Sequence, residues 1–294
     1  MSVGLFEAAR KRVLVCDGAM GTELMKRGLE PGACPETWNI DHANEMLDVH
    51  KAYVDAGAEL LLTNTFGGNR WKLDAYGFGD RVAELNAAAV HTARKAAGTA
   101  AFVVGDIGPT GRFVAPLGTD PPDAFVEIFA EQADALAQAG ADAVILETFT
   151  ALDETLAALE GARRTGLGVI ASMSYLPAAD GRYRTMMGID VETAALALET
   201  AGALVVAANC GTGAQDYPGI AKALASATRL PVMVEPNAGM PQLVRGRTVF
   251  PMTPAEMASF IPPILAAGVR IVGGCCGTTP EHIREVRRIV DKAR

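Results

Sequence analysis

Two adjacent cysteines stand in a glycine frame near the C-terminus, Gly273-Gly274-Cys275-Cys276-Gly277-Thr278-Thr279-Pro280, and a third, Cys210, lies upstream in Ala208-Asn209-Cys210-Gly211. Neighbouring cysteines rarely share a disulfide, because that ring is strained and the sulfurs diverge. Side chains bending toward one metal at the end of a strand meet no such obstacle, so the three can supply the thiolates of a zinc site. Three sulfur ligands leave one tetrahedral position open, and an open position separates a catalytic zinc from a structural one. The same residues admit two plainer readings: three buried cysteines that act as small hydrophobes, or a structural zinc closed by a fourth side chain.

A zinc ion on three cysteinates carries a net negative charge, which blunts its Lewis acidity and makes it a poor activator of water for hydrolysis. It is better suited to holding a substrate thiol as thiolate near neutral pH, where the free thiol has a pKa of about 8.5. The sulfur can then attack an electrophilic carbon, most simply a methyl group. His282 follows the cysteine motif but reads as part of the next helix, and the other histidines lack ligand spacing. Cys16 and Cys34 read as ordinary reduced residues, since an odd total of five cysteines in a long chain fits a reducing compartment better than a disulfide framework.

Eight short apolar, β-branched runs could position these groups: Val13 to Ala19, Glu59 to Phe66, Phe102 to Pro109, Ala143 to Phe149, Gly168 to Tyr175, Leu204 to Cys210, Pro231 to Asn237 and Ile271 to Cys276. Each is followed by a stretch of helical periodicity. Continuous rather than alternating apolar strands predict burial on both faces, as in a parallel sheet wrapped by helices. Thr253-Pro254-Ala255-Glu256 reads as a capping box, Thr279-Pro280-Glu281 opens the last helix similarly, and Gly57, Gly140, Gly202 and Gly268 stand where helices would stop. Without a linker-like segment between the units, residues 1–294 are expected to form one α/β domain, a closed (β/α)8 barrel, with an open doubly wound sheet as the alternative. Barrel active sites form at the carboxyl ends of the strands. Asp17, Asn64, Asp106, Glu147, Cys210, Asn237, Cys275 and Cys276 all fall there.

Composition narrows the partners. Half of the 294 residues are hydrophobic and a fifth charged, so a large core can form. Net charge is -8 with no basic cluster, which argues against nucleic acid. No segment runs about 18 apolar residues, and the opening lacks a basic, apolar leader, so a cytoplasmic protein without a membrane partner is expected.

The chain resembles the homocysteine S-methyltransferase family of zinc enzymes. The blocks that carry the likeness are Asp17 to Glu23, Thr63-Asn64-Thr65-Phe66-Gly67, Gly105 to Gly111, Glu147-Thr148-Phe149, Asn209-Cys210-Gly211, Glu235 to Gly239 and Gly273 to His282. It looks most like the homocysteine-binding barrel of cobalamin-dependent methionine synthases, and around Thr185-Met186-Met187-Gly188 it is similar to bacterial betaine-using enzymes. The resemblance implies that Cys210, Cys275 and Cys276 bind zinc, that homocysteine sulfur enters the fourth position, and that Asn237 can hold this position beforehand; Asn237 reads equally as a turn residue. It also places Asp17 and Glu147 at the amino end of homocysteine. Charge logic agrees, because a partly buried ammonium needs carboxylates. Asn64 and Thr22 are further candidates for polar contacts with the substrate.

The methyl donor implied is a small molecule such as betaine or S-methylmethionine, or else a corrinoid protein acting in trans. In the second case the chain would be the homocysteine subunit of a split methionine synthase. A non-catalytic zinc and homocysteine binding module is the remaining alternative. Trp38 and Trp71 could meet an onium donor by cation–π attraction, or could be amphipathic surface anchors. The animal betaine enzymes carry a tyrosine where this chain has Gly67.

Overall fold

The computed structural model describes residues 3–244 and 246–293. All eight apolar runs form strands: β1 (Leu14–Val15), β2 (Leu60–Leu62), β3 (Phe102–Ile107), β4 (Ala143–Phe149), β5 (Val169–Met173), β6 (Val205–Gly213), β7 (Val232–Asn237) and β8 (Ile271–Val272). They pair in parallel in that cyclic order, with β8 lying between β7 and β1. A parallel bridge from Cys16 to Leu60 joins β1 to β2 and closes the ring. The backbone bonds Asp17 N to Leu60 O (3.0 Å) and Glu59 N to Val15 O (2.7 Å) reinforce that seam. The chain is a (β/α)8 barrel.

The strands are apolar on both sides because each side meets a different core, and the split follows the strand period of two. Leu14, Cys16, Leu60, Val104, Ile145, Ile170, Val205, Met233 and Ile271 point into the barrel, where Leu5 and Phe6 of the helix Val3–Lys11 join them. Their immediate neighbours Val15, Leu61, Val103, Val144, Val169, Val206, Val232 and Val272 point outward into the larger layer under the helices. Fully burying one such side chain contributes about 1.5–3 kcal/mol.

The stop signals act as the sequence suggests. Gly57, Gly140, Gly202 and Gly268 all have φ between 93° and 98°, a conformation that ends a helix without steric cost only at glycine. Thr253 and Glu256 form a capping box, and Thr279 forms one with His282. Two small hairpins, Leu176–Pro177 with Tyr183–Arg184 and Gln242–Val244 with Arg247–Val249, rise from the carboxyl-end loops. They are too short to show in the apolar pattern.

Candidate functional site

The carboxyl ends of β4 and β6 depart from regular ladders. The pairing register shifts between Leu146 and Phe149 and again between Asn209 and Gly213. Within these irregular stretches Thr148 (φ 63°) and Cys210 (φ 56°) adopt the left-handed conformation. That region costs a non-glycine residue on the order of 1–3 kcal/mol and tends to be kept at functional sites. The turn after β8 is held from two sides: Gly274 N donates to Asp17 O (3.0 Å), Cys275 N to Pro236 O (2.9 Å) and Ala238 N to Cys276 O (3.0 Å).

These constraints bring the three cysteines together. The sulfurs of Cys210, Cys275 and Cys276 lie within 4.8 Å of one another. Three thiolates on one tetrahedral zinc, with bonds of about 2.3 Å, would stand roughly 3.8 Å apart, a spacing compatible with this trio. Thiol bonds from Cys275 and Cys276 push the Cys210 sulfur well below the usual thiol range, while those two are pushed up, Cys276 to about 12. The first negative charge is thus shared, and a second or third needs a cation. Asn237 is buried beside them, its Nδ2 3.7 Å from Cys210 Sγ, and its Oδ1 has no hydrogen-bond partner. With the amide turned over, this buried orphan acceptor, on a side chain that touches Cys210, fits an oxygen ligand to the same ion.

Carboxylates line the neighbouring strand ends. Glu147 and Asp106 face each other, and burial raises both: Glu147 to about 7, and Asp106 well above its ordinary value with the Glu147 charge adding to the effect. Asp106 Oδ1 and Glu235 Oε2 are buried without partners. Asp17 lies just beneath the cleft surface, raised by burial, with Oδ2 accepting from Leu62 N at 2.9 Å and Oδ1 from Cys16 Sγ at 3.4 Å. The sequence places Asp106 among the strand-end residues but assigns it no role; the structure sets it against Glu147 in the cleft floor. Its position at the end of β3 was the available signal.

A cleft of about 410 Å³ opens over this floor, lined by Thr22, Asn64, Asp106, Glu147 and the three cysteines among others. The structure brings the candidates together, with two qualifications. Asn64 spends its amide on Pro35 O (2.7 Å) and Asn39 Oδ1 (3.2 Å), and Thr22 Oγ1 accepts from Gly277 N (3.3 Å), so each also braces the wall. His282 stands apart from the sulfurs as a cap, bonded to Thr279 N and Met252 O. Neither tryptophan borders the cleft: Trp38 is buried and stacks on His42, and Trp71 meets Phe125 edge-on while Arg112 covers its face at 4.3 Å. A larger hollow of about 630 Å³ sits at the amino end, between Phe6, Arg10, Arg163 and Leu167, and holds none of the candidate residues.

The fold and site define a class of (β/α)8 barrel with a three-cysteine cluster at its carboxyl mouth. The chain belongs to the homocysteine S-methyltransferase family, whose profile matches residues 14–290. It is 34% identical to the methionine synthase of Mycobacterium leprae and 33% identical to that of Mycobacterium tuberculosis, in each case over 97% of this chain and 25% of the relative, so it spans about a quarter of those proteins. Among solved structures it is similar to the metallated homocysteine methyltransferase MmuM of Escherichia coli, with a TM-score of 0.77 at 25% identity, covering 94% of this chain and 96% of the other.

Proposed function

We propose that the protein is a zinc-dependent homocysteine S-methyltransferase that forms methionine. The observation that carries this reading is the convergence of Cys210, Cys275 and Cys276 within 4.8 Å on the wall of a cleft that also presents Glu147. Zinc held by the three sulfurs would keep the substrate thiol ionised at neutral pH. Asn237 Oδ1 would occupy the remaining position until the thiol arrives. Glu147, with Asp17 behind it, would take the ammonium of homocysteine, and that ammonium would in turn stabilise carboxylates that burial otherwise protonates. Thr22 and Asn64 would border the remainder of the amino acid.

In the transfer a sulfur–methyl bond forms as the donor's bond to methyl breaks, and the donor keeps that electron pair. The thiol proton would already have passed to solvent on binding. A cleft of about 410 Å³ admits a small onium donor such as betaine or S-methylmethionine beside homocysteine. A second reading, methyl delivery by a corrinoid protein, is favoured by the exposed apolar side chains at the carboxyl rim, Met25, Phe66, Tyr76, Leu117, Met187 and Leu243, which a docked protein would cover. Thiols that must stay reduced suit a cytoplasmic setting. No helix among the described residues is long and apolar enough to cross a membrane.

The test is methionine formation by purified protein with zinc, homocysteine and one donor at a time. Product from betaine or S-methylmethionine supports the first donor; product only with a methylated corrinoid carrier supports the second. Failure with every donor, together with failure to bind homocysteine, refutes the function. Cys275→Ala should lose zinc and activity together, and a variant that keeps both would remove the ligand assignment.

A further inference from the structure

Asn209 joins the two halves of this site. It is fully buried at the irregular end of β6, immediately before Cys210. Its Oδ1 accepts from Thr148 N (2.9 Å) and from Ser172 Oγ (2.7 Å). Its Nδ2 donates to Glu147 Oε1 (3.0 Å) and Thr148 Oγ1 (2.6 Å), and lies 3.6 Å from Cys275 Sγ. All four hydrogen-bonding valences of the amide are used. The orientation of the amide follows from its partners: a backbone N–H must face the oxygen and a carboxylate oxygen must face the nitrogen. Its main-chain carbonyl is held as well, by Ser174 Oγ at 2.7 Å.

Through these bonds one side chain fixes the left-handed turn at Thr148, orients the Glu147 carboxylate and touches a sulfur of the three-cysteine cluster. We infer that Asn209 is a positioning residue that sets the distance between the Glu147 carboxylate and the Cys275 sulfur, and so makes the site prefer an α-amino thiol over the same thiol without its amine. This rests on the reading that Glu147 meets the ammonium of homocysteine. A rigid spacing between an anion and a thiol site is what distinguishes homocysteine from 4-mercaptobutyrate, which differs only in lacking the amine. Loss of the amide would free Glu147 to turn and leave both thiols able to reach the cysteines.

The experiment is direct binding, which needs no methyl donor. Protein loaded with Co²⁺ is titrated with homocysteine and with 4-mercaptobutyrate, following the sulfur-to-cobalt charge-transfer band. The wild-type protein should prefer homocysteine by roughly tenfold or more, the scale of a hydrogen bond to a charged group. Asn209→Ser should bring that ratio toward one, with 4-mercaptobutyrate affinity changed less than about threefold, and should move the band to longer wavelength as the N–H contact to Cys275 is lost. Parallel weakening of both thiols, or a high ratio left intact, overturns the inference alone. A wild-type ratio near one removes the ammonium reading of Glu147 and the inference with it. If Asn209→Ser does not fold, Ser172→Ala, which releases one bond to Asn209 Oδ1 and touches no ligand, must lower the ratio in the same direction; an unchanged ratio there also overturns it.

Discussion

Thr278→Val tests whether the cysteine turn is held by its own threonine. Thr278 is fully buried. Its Oγ1 accepts from Ala19 N at 3.0 Å and donates to Cys275 O at 2.7 Å, so one hydroxyl ties the loop after β1 to the carbonyl of a candidate metal ligand. Valine keeps the shape and removes both bonds. Each is worth about 1 kcal/mol net, and a buried N–H left without an acceptor adds about 1–3 kcal/mol. The Cys275 carbonyl keeps its bond from Thr278 N (3.1 Å), so only the Ala19 amide is orphaned, and the expected loss is about 3–5 kcal/mol. Urea unfolding of metal-free and zinc-loaded protein measures it, and chelator competition should show weaker zinc binding as Cys275 loses its tether. Thr278→Ser should restore most of both. A valine variant within about 0.5 kcal/mol of wild type, the range of ordinary surface changes, and with unchanged zinc affinity, would refute the reasoning.

Glu147 gives a pH dependence. Its ordinary value is 4.5 and burial lifts it to about 7, so the native metal-free protein binds a proton that the unfolded chain releases in that interval. Stability from this group is therefore present below pH about 4.5 and lost as pH rises through about 7, up to roughly 3 kcal/mol in all. Glu147→Gln should flatten that fall, read as urea midpoints at pH 5 and pH 8; an unaltered pH slope would sink it. Trp71→Leu should leave the KM for any donor within about twofold, because Arg112 and Phe125 already occupy the ring, while costing on the order of 1–3 kcal/mol in stability. A tenfold rise in donor KM would return the tryptophan to the donor site.

Strand positions were legible because both faces of a barrel strand are apolar, and runs such as Ala143 to Leu146 cannot alternate. The cysteine cluster was legible because chemistry concentrates at strand ends. What the sequence could not show depends on which strands become neighbours. Asp106 meets Glu147 only once β3 lies against β4, and Asn209 reaches Ser172 on β5 and, beyond that strand, Thr148 on β4. The tryptophans were ambiguous for the same reason. Residue type permits a donor contact, but packing turns Trp38 onto His42 and places Arg112 over Trp71. Asn64 has the chemistry of a substrate contact and also a bracing task on Pro35 that no local pattern encodes.

The seam between β1 and β2 has a consequence for how Asp17 is probed. β1 is two residues long and β2 is three, and past their single bridge the carboxylate of Asp17 accepts the Leu62 amide where a main-chain carbonyl would otherwise stand. One acidic side chain therefore serves as a rung of the wall as well as, in the proposed function, a neighbour of the guest amine. An Asp17→Ala protein that no longer takes homocysteine would report a stave coming loose as readily as a missing counter-charge. Asp17→Asn, whose amide oxygen can still receive the Leu62 N–H, is the substitution that separates the two.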